Sequence, residues 1–373
     1  MGRNFQLTTR IPMGLAWALL FAVVPLGYGF TPVNMESGVE WVDADDISLL
    51  QVSWGEDFET GTWESSVSLA FGHYGMDYQP VPFDFQGEET RRSERNLSLQ
   101  FNTRNQVNNH TWIIAGAGVY DGYTNYRSVW LDEYYRQQYS ELFGFPGAEN
   151  YVEADPKGIN GTAGVRWSYL SGSGFAELNV SRLRDDVSPG YEIDFDGLRR
   201  GELTLATAAI SLSTENVLSK RVRSFFEVRA SKTTARSTRY GAEFALNVAM
   251  GENWVSRWNV GGATEDPQFD AYYGGVALEY QANDNLSWFV DARYYEDTGE
   301  IENALLFTSA APGLISNRFG IGLRWIGDSW SSRLYVAPLD TNYEPTREST
   351  DFFQNLYLDR DWTVFQFAVG RSL

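Results

Sequence analysis

Along most of this chain apolar and polar side chains alternate at a period of two, the spacing of a strand whose two faces meet different surroundings. The alternation is plainest in Trp63 to Phe71, Leu97 to Phe101, Val165 to Tyr169, Phe226 to Ala230, Tyr240 to Val248, Trp254 to Val260, Val276 to Tyr280, Leu286 to Tyr294, Phe319 to Trp325 and Trp330 to Val336. Weaker examples are Ile47 to Trp54, Ile113 to Val119, Phe175 to Leu183, Leu203 to Leu212, Phe352 to Leu358 and Thr363 to Val369. Together they predict about 16 strands, with about 14 to 18 as the range, each near the roughly 9 to 11 residues of a tilted membrane strand.

Short polar turns join these segments in pairs, and a large aromatic stands at the turn. Trp63 follows Glu59-Thr60-Gly61-Thr62, Trp112 follows Asn108-Asn109-His110, Trp254 follows Gly251-Glu252-Asn253, Trp288 follows Asp284-Asn285, and Trp325 and Trp330 bracket Gly327-Asp328. A soluble hairpin has no need of an indole at each end, whereas a bilayer holds one well at headgroup level with its ring inward. The pattern therefore predicts an all-β, up-and-down, antiparallel transmembrane β-barrel with an aromatic girdle.

Longer connections alternate with the short ones, at about Tyr74 to Ser93, Asp121 to Gly158, Arg184 to Gly201, Glu296 to Asn317 and Leu339 to Asp351. With the short turns on the periplasmic side, the strands above would leave the chain's two ends on opposite sides. Either one end strand is wrong, with Val39 to Val42 as an additional strand, or the short turns face outward.

The N-terminus reads as an export signal. Arg3 and Arg10 precede an apolar run from Met13 to Val24, and Gly27-Tyr28-Gly29 offers small residues before a cut at Phe30. Residues 1–29 are expected to be the signal peptide and 30–373 the barrel domain. An uncleaved anchor is the alternative, but the run falls short of the roughly 20 apolar residues of a membrane helix.

Composition agrees with a barrel. Thirteen Trp, 21 Tyr, 23 Phe and 35 Gly accompany a 43% hydrophobic content, and there is no Cys, so no disulfide framework exists in this exported chain. The net charge of −20 collects in connections or at their edges, at Asp43-Asp45-Asp46, Glu56-Asp57-Glu59, Asp132-Glu133, Asp185-Asp186, Glu265-Asp266 and Glu296-Asp297-Glu300-Glu302. Such acidity argues against nucleic acid as a partner. It reads either as solvated loops or as a rim holding divalent cations against lipopolysaccharide.

Placing the apolar face of each strand outward puts Arg166, Arg223, Arg229, Arg257, Arg293, Arg324 and Arg333 on the inner face. Glu64, Glu227, Glu243, Glu279 and Asp291 lie beside them. A one-residue slip would reverse every assignment. Two readings stand: an arginine-lined constriction passing anionic or sugar-like solutes, or a paired polar network that fills the interior.

Other chemistry finds little support. Glu192, Asp194, Asp196 and Gly197 match the first half of a calcium loop, but Leu203 occupies the place of the closing Glu, with Glu202 one position early. His73 and His110 are the two histidines, both near strand ends, and no Gly-x-Ser-x-Gly elbow or zinc-binding pair accompanies them. Neither an enzyme activity nor a cofactor or metal is expected. A lipase-like barrel built on His110 is the rival to a simple turn histidine.

Over nearly the whole exported portion the chain resembles bacterial, Gram-negative outer-membrane β-barrels of the porin-like class, by pattern and not by a family motif. Such proteins usually end in an aromatic residue on the last strand. Phe365 and Phe367 alternate correctly, but the chain finishes Val369-Gly370-Arg371-Ser372-Leu373. The resemblance implies an integral outer-membrane location, surrounding lipid and lipopolysaccharide, a passive channel for small hydrophilic solutes, and an oligomer as an option. The segment Asp121 to Gly158, with Trp130, Tyr134, Tyr135, Tyr139, Phe143 and Phe145, is expected to fold inward and narrow the pore. A closed structural or binding barrel is the second reading. A soluble exported β-sandwich is the third, opposed by outward runs such as Phe319, Ile321, Leu323 and Trp325 that would need a second sheet.

Overall fold

The computed structural model describes residues 31–44, 47–78, 90–123, 156–186, 190–194, 197–201, 204–234, 236–267, 269–301, 310–311, 313–344 and 359–372. Its strands are β1 (Thr31–Asp43), β2 (Ile47–Thr60), β3 (Trp63–Tyr78), β4 (Thr90–Asn108), β5 (Thr111–Gly122), β6 (Lys157–Tyr169), β7 (Gly174–Asp186), β8 (Gly190–Asp194), β9 (Gly197–Gly201), β10 (Thr204–Ser219), β11 (Val222–Thr233), β12 (Thr238–Met250), β13 (Trp254–Glu265), β14 (Phe269–Gln281), β15 (Leu286–Asp297), β16 (Glu300–Ile301), β17 (Ala310–Ala311), β18 (Gly313–Ile326), β19 (Trp330–Glu344) and β20 (Arg360–Ser372). All but β8, β9, β16 and β17 form one closed antiparallel barrel of 16 strands, each paired with its neighbour along the chain. A closed barrel excludes the β-sandwich, because every backbone ladder finds a partner and no edge is left.

β1 settles the conflict over the chain ends. It pairs with β20 through Val39 opposite Phe367 and Trp41 opposite Phe365, closing the barrel. Thr31 lies opposite Glu59, next to the Gly61-Thr62 turn, so both ends of the barrel domain reach the rim of short turns. In outer-membrane barrels that rim is periplasmic. The strand count agrees with the expectation, but its membership differs: β1 enters, and Phe352 to Leu358 lies outside the described residues. The segment 1–29 and the aromatic residues Trp130 to Phe145 also lie outside them.

The barrel strands are longer than expected, from 12 residues in β5 to 19 in β4. They therefore project beyond a bilayer, and connections expected to start at Tyr74 or Leu339 begin only after Tyr78 and Glu344. Residues Gly190 to Asp194 and Gly197 to Gly201 form a small separate hairpin. Its register sets Asp194 opposite Gly197, which is a strand pairing and not the backbone of a calcium loop; Asp196, Glu202 and Leu203 lie outside the described residues.

Local chemistry makes the short turns. Gly61 adopts φ 64° and Gly251 φ 76°, the left-handed region that a side chain disfavours. At the β14–β15 turn, Asn283 Oδ1 accepts from the backbone N–H groups of Asn285 and Leu286, both at 2.9 Å.

One arc of the inner wall is apolar. Val42, Ile47, Met76, Tyr123, Phe289, Tyr335, Ala337, Trp362 and Val364 form a buried cluster there. Register makes it continuous, with Val42 opposite Val364 and Leu49, Ala337 opposite Val364, and Ile47 opposite Met76. The inner face thus carries an apolar arc in addition to its charged residues.

Glycine allows the rings of this arc to lie flat on the wall. A Cβ on Gly322 would stand 2.2 Å from Phe289 Cζ, and one on Gly320 would stand 2.2 Å from the Tyr335 hydroxyl. Phe289 and Tyr335 stack with centroids 5.8 Å apart and planes at 8°. Gly322→Val is therefore expected to drive Phe289 off the wall and cost about 1–3 kcal/mol, seen as a lower urea midpoint for vesicle-inserted protein.

Candidate functional site

The outer face fixes the phase of every strand. Phe319 is 60% exposed and Val260 56%, and Leu97, Ile113, Val180, Ile210, Val228, Ile321 and Leu334 are likewise exposed around the barrel. Exposed Trp63, Trp167, Trp254, Trp288, Trp325 and Trp330 lie toward the short-turn rim, and Trp41, Tyr240, Tyr272 and Tyr294 toward the other. Trp112 does not join this belt. Its Cα partner is Arg166 and its ring packs 6.1 Å from Phe175, on the opposite face. The rule of one indole per turn fails there because the alternation of β5 places Ile113, not Trp112, outward.

Arg166, Arg223, Glu227, Arg229, Glu243, Arg257, Glu279, Asp291, Arg293, Arg324 and Arg333 all share the phase opposite these exposed apolar residues, as does Glu64. They do not form one constellation. On β13, β14, β15 and β18, Glu279 gathers a first group. Its Oε1 accepts from Ser287 at 2.6 Å and Arg324 at 3.3 Å, and its Oε2 lies 2.5 Å from Arg257. A buried carboxylate is tolerable only when so surrounded.

Asp291 gathers the second group, on the same inner wall. It accepts from the Tyr335 hydroxyl at 2.6 Å and from Arg318 at 3.4 Å, with Arg293 at 4.0 Å. Arg333 has no carboxylate partner among the described residues; its guanidinium lies 4.8 Å from the Phe289 ring centroid and 5.5 Å from that of Tyr335. The two groups thus assemble Arg257, Arg293, Arg318 and Arg324 around Glu279 and Asp291, with Arg333 over the adjoining rings. Around Glu279 and Asp291 guanidinium groups outnumber carboxylates.

Elsewhere on the inner face the pairing is different. Arg166 lies between Glu177 at 3.6 Å and Glu215 at 3.4 Å, over the Phe175 ring. Arg104 pairs with Glu64. Glu227 and Glu243 stand directly opposite each other, and the Tyr273 hydroxyl bonds to Glu243. Arg223 and Arg229 form no ion pair among the described residues.

Arg318, Ser287, Tyr335 and Phe289 were missed from the sequence. Arg318 follows from extending the phase of Phe319 by one residue. The inner aromatics carry no such signal, because an aromatic residue in an alternating strand reads as outward.

His110 meets Ser168, with Nδ1 and Oγ 2.9 Å apart at the exposed short-turn rim. Among the described residues nothing orients the other ring nitrogen, and no group of three or more metal-binding side chains occurs.

No protein-family model matches this chain, and no curated protein does. Solved structures do. CdiB from Acinetobacter baumannii matches with TM-score 0.51 and 11% identity over 92% of this chain and 60% of its own. A bacterial polysaccharide outer membrane secretin matches with TM-score 0.50 and 6% identity over 91% and 98%. The FrpB iron transporter from Neisseria meningitidis matches with TM-score 0.50 and 9% identity over 91% and 66%. The chain thus spans less than two thirds of the CdiB and FrpB chains. At these identities the likeness is one of fold. That fold, closed and edge-free, with an apolar outer face between two aromatic belts, makes this chain an integral β-barrel protein of the bacterial outer membrane.

Proposed function

We propose that the chain is a passive outer-membrane channel for small hydrophilic solutes, without catalytic activity, whose lumen is governed by the arginine-rich wall around Glu279 and Asp291. The observation that carries this reading is the gathering of Arg257, Arg293, Arg318 and Arg324 on Glu279 and Asp291, with Arg333 beside them, on the inner face of one wall. A filled structural interior would be expected to balance each buried charge, whereas unpaired cations are retained where solvent and solute reach them. In this reading Arg166 lines the facing side, and Arg223, Glu227, Arg229 and Glu243 line β11 and β12 beside the arginine-rich wall. Lipid and lipopolysaccharide surround the outer face, and acidic connections meet lipopolysaccharide through divalent cations.

A closed barrel is the second reading, favoured by one observation: the apolar arc from Phe289 to Met76 is buried although it belongs to the inner wall. Planar-bilayer recording of the refolded protein separates the two. The channel reading expects stable conductance steps, and Arg257→Glu should move the reversal potential toward cation preference. Protein that inserts and shows strand-rich circular dichroism yet stays silent would establish the closed barrel.

A further inference from the structure

The inner wall holds a cavity of about 370 Å³ toward the short-turn mouth, at the seam where β18, β19, β20, β1 and β2 meet. Its floor is made of small residues, Gly38, Ala368 and Gly370 among them. These leave a depression where larger inward side chains would fill the wall. Register places Arg333 opposite Ala368, and Ala368 opposite Gly38, so arginine and floor lie on one level. Arg324, opposite Arg333, stands behind it on the same flank. The other flank carries Glu36 and Glu40, two residues to either side of Gly38 on β1.

The charges on these flanks are not satisfied by each other. Arg333 has no carboxylate partner among the described residues, and its Nε is buried without a hydrogen-bond partner. Glu36 and Glu40 have no basic partner among them either; Glu40 accepts only a 3.5 Å bond from Gln366. Arg333 and Glu40 sit two strands apart, so their backbones are separated by roughly 10 Å across the small-residue floor. The two side chains therefore flank a gap instead of closing it.

We propose that this cavity binds a small zwitterion, its carboxylate on the Arg333 flank and its ammonium on the Glu36 and Glu40 flank. Opposite charges held apart across a cavity are complementary to a molecule carrying the same two charges in reverse order. Neutral solutes would leave both flanks bare, and simple anions or cations would satisfy one and be repelled by the other. The site rests on the channel reading for its role in solute passage, but not for binding, since the cavity lies on the short-turn side of the apolar arc.

Titration calorimetry on the full chain in detergent micelles, with 6-aminohexanoate, hexanoate and hexylamine as probes, tests it. Saturable binding of 6-aminohexanoate is expected, with hexanoate and hexylamine weaker by roughly tenfold or more, since each lacks one charge-assisted hydrogen-bonded partner. Glu40→Gln and Arg333→Gln should each remove that preference while keeping the strand-rich dichroism of the parent. The exchange Arg333→Glu with Glu40→Arg should restore it. Equal binding of the three probes, no saturable binding by folded protein, or indifference to Glu40→Gln overturns the proposal. Conductance is read separately: steps without saturable binding of 6-aminohexanoate refute the site and leave the channel, whereas binding without steps refutes the channel and leaves the site.

Discussion

Ile321→Arg is expected to lower folding stability in a bilayer by about 2–4 kcal/mol, the cost of an arginine on the lipid face near the midplane of a barrel. Ile321 is exposed on β18 between outward Phe319 and Trp325, and its partners Val290 and Val336 extend the same apolar surface sideways. Ser332→Arg provides the internal control. Ser332 shares the outward phase of β19 but lies beside the Trp330 belt, where the same charge can reach headgroups and should cost only about 0–1 kcal/mol. Urea titration of vesicle-inserted protein measures both. Equal, small losses at the two positions would mean that this face meets water, and the membrane assignment would fall with them.

Glu279→Gln is expected to have the largest effect on conduction of any single neutralisation on the inner wall. The carboxylate ties Arg257 on β13 to Arg324 on β18, with Ser287 between them. Without its charge two guanidinium groups lose their counter-ion at once, and the net positive charge of this cluster grows. The reversal potential in a salt gradient should move toward anions, opposite to the shift expected for Arg257→Glu. The same change should cost about 1–3 kcal/mol of stability, because Ser287 and the arginines lose a charged hydrogen-bond partner. Arg257 and Arg324 remain partly exposed, so water offsets some of that loss. A wild-type reversal potential in a folded Glu279→Gln variant would remove this cluster from the conduction path.

Much of this architecture is written locally. A period of two sets which side chains share a face, and the same phase that turns Phe319, Ile321 and Trp325 outward turns Arg318 and Arg324 inward. Strand identity, the outer apolar surface, most of the indole belt and the phase of the charged residues follow from that period alone, because lipid acts on each side chain independently of its distant neighbours.

The pairings do not follow from it. β1 shows little alternation beyond Val39 and Trp41, and its place is secured by a partner more than 300 residues away, as in the 3.3 Å bond from Ser37 Oγ to the Val369 carbonyl 332 positions on. Trp112 faces inward because β5 keeps the register of its neighbours, whatever its turn residue prefers. The grouping of four arginines on two carboxylates, the rings of Phe289 and Tyr335 over Gly322 and Gly320, and the cavity beside Gly38 all join residues from strands remote in sequence. A single strand reports whether a side chain points inward, and only closure of the barrel brings the strands together that make inward-pointing side chains meet.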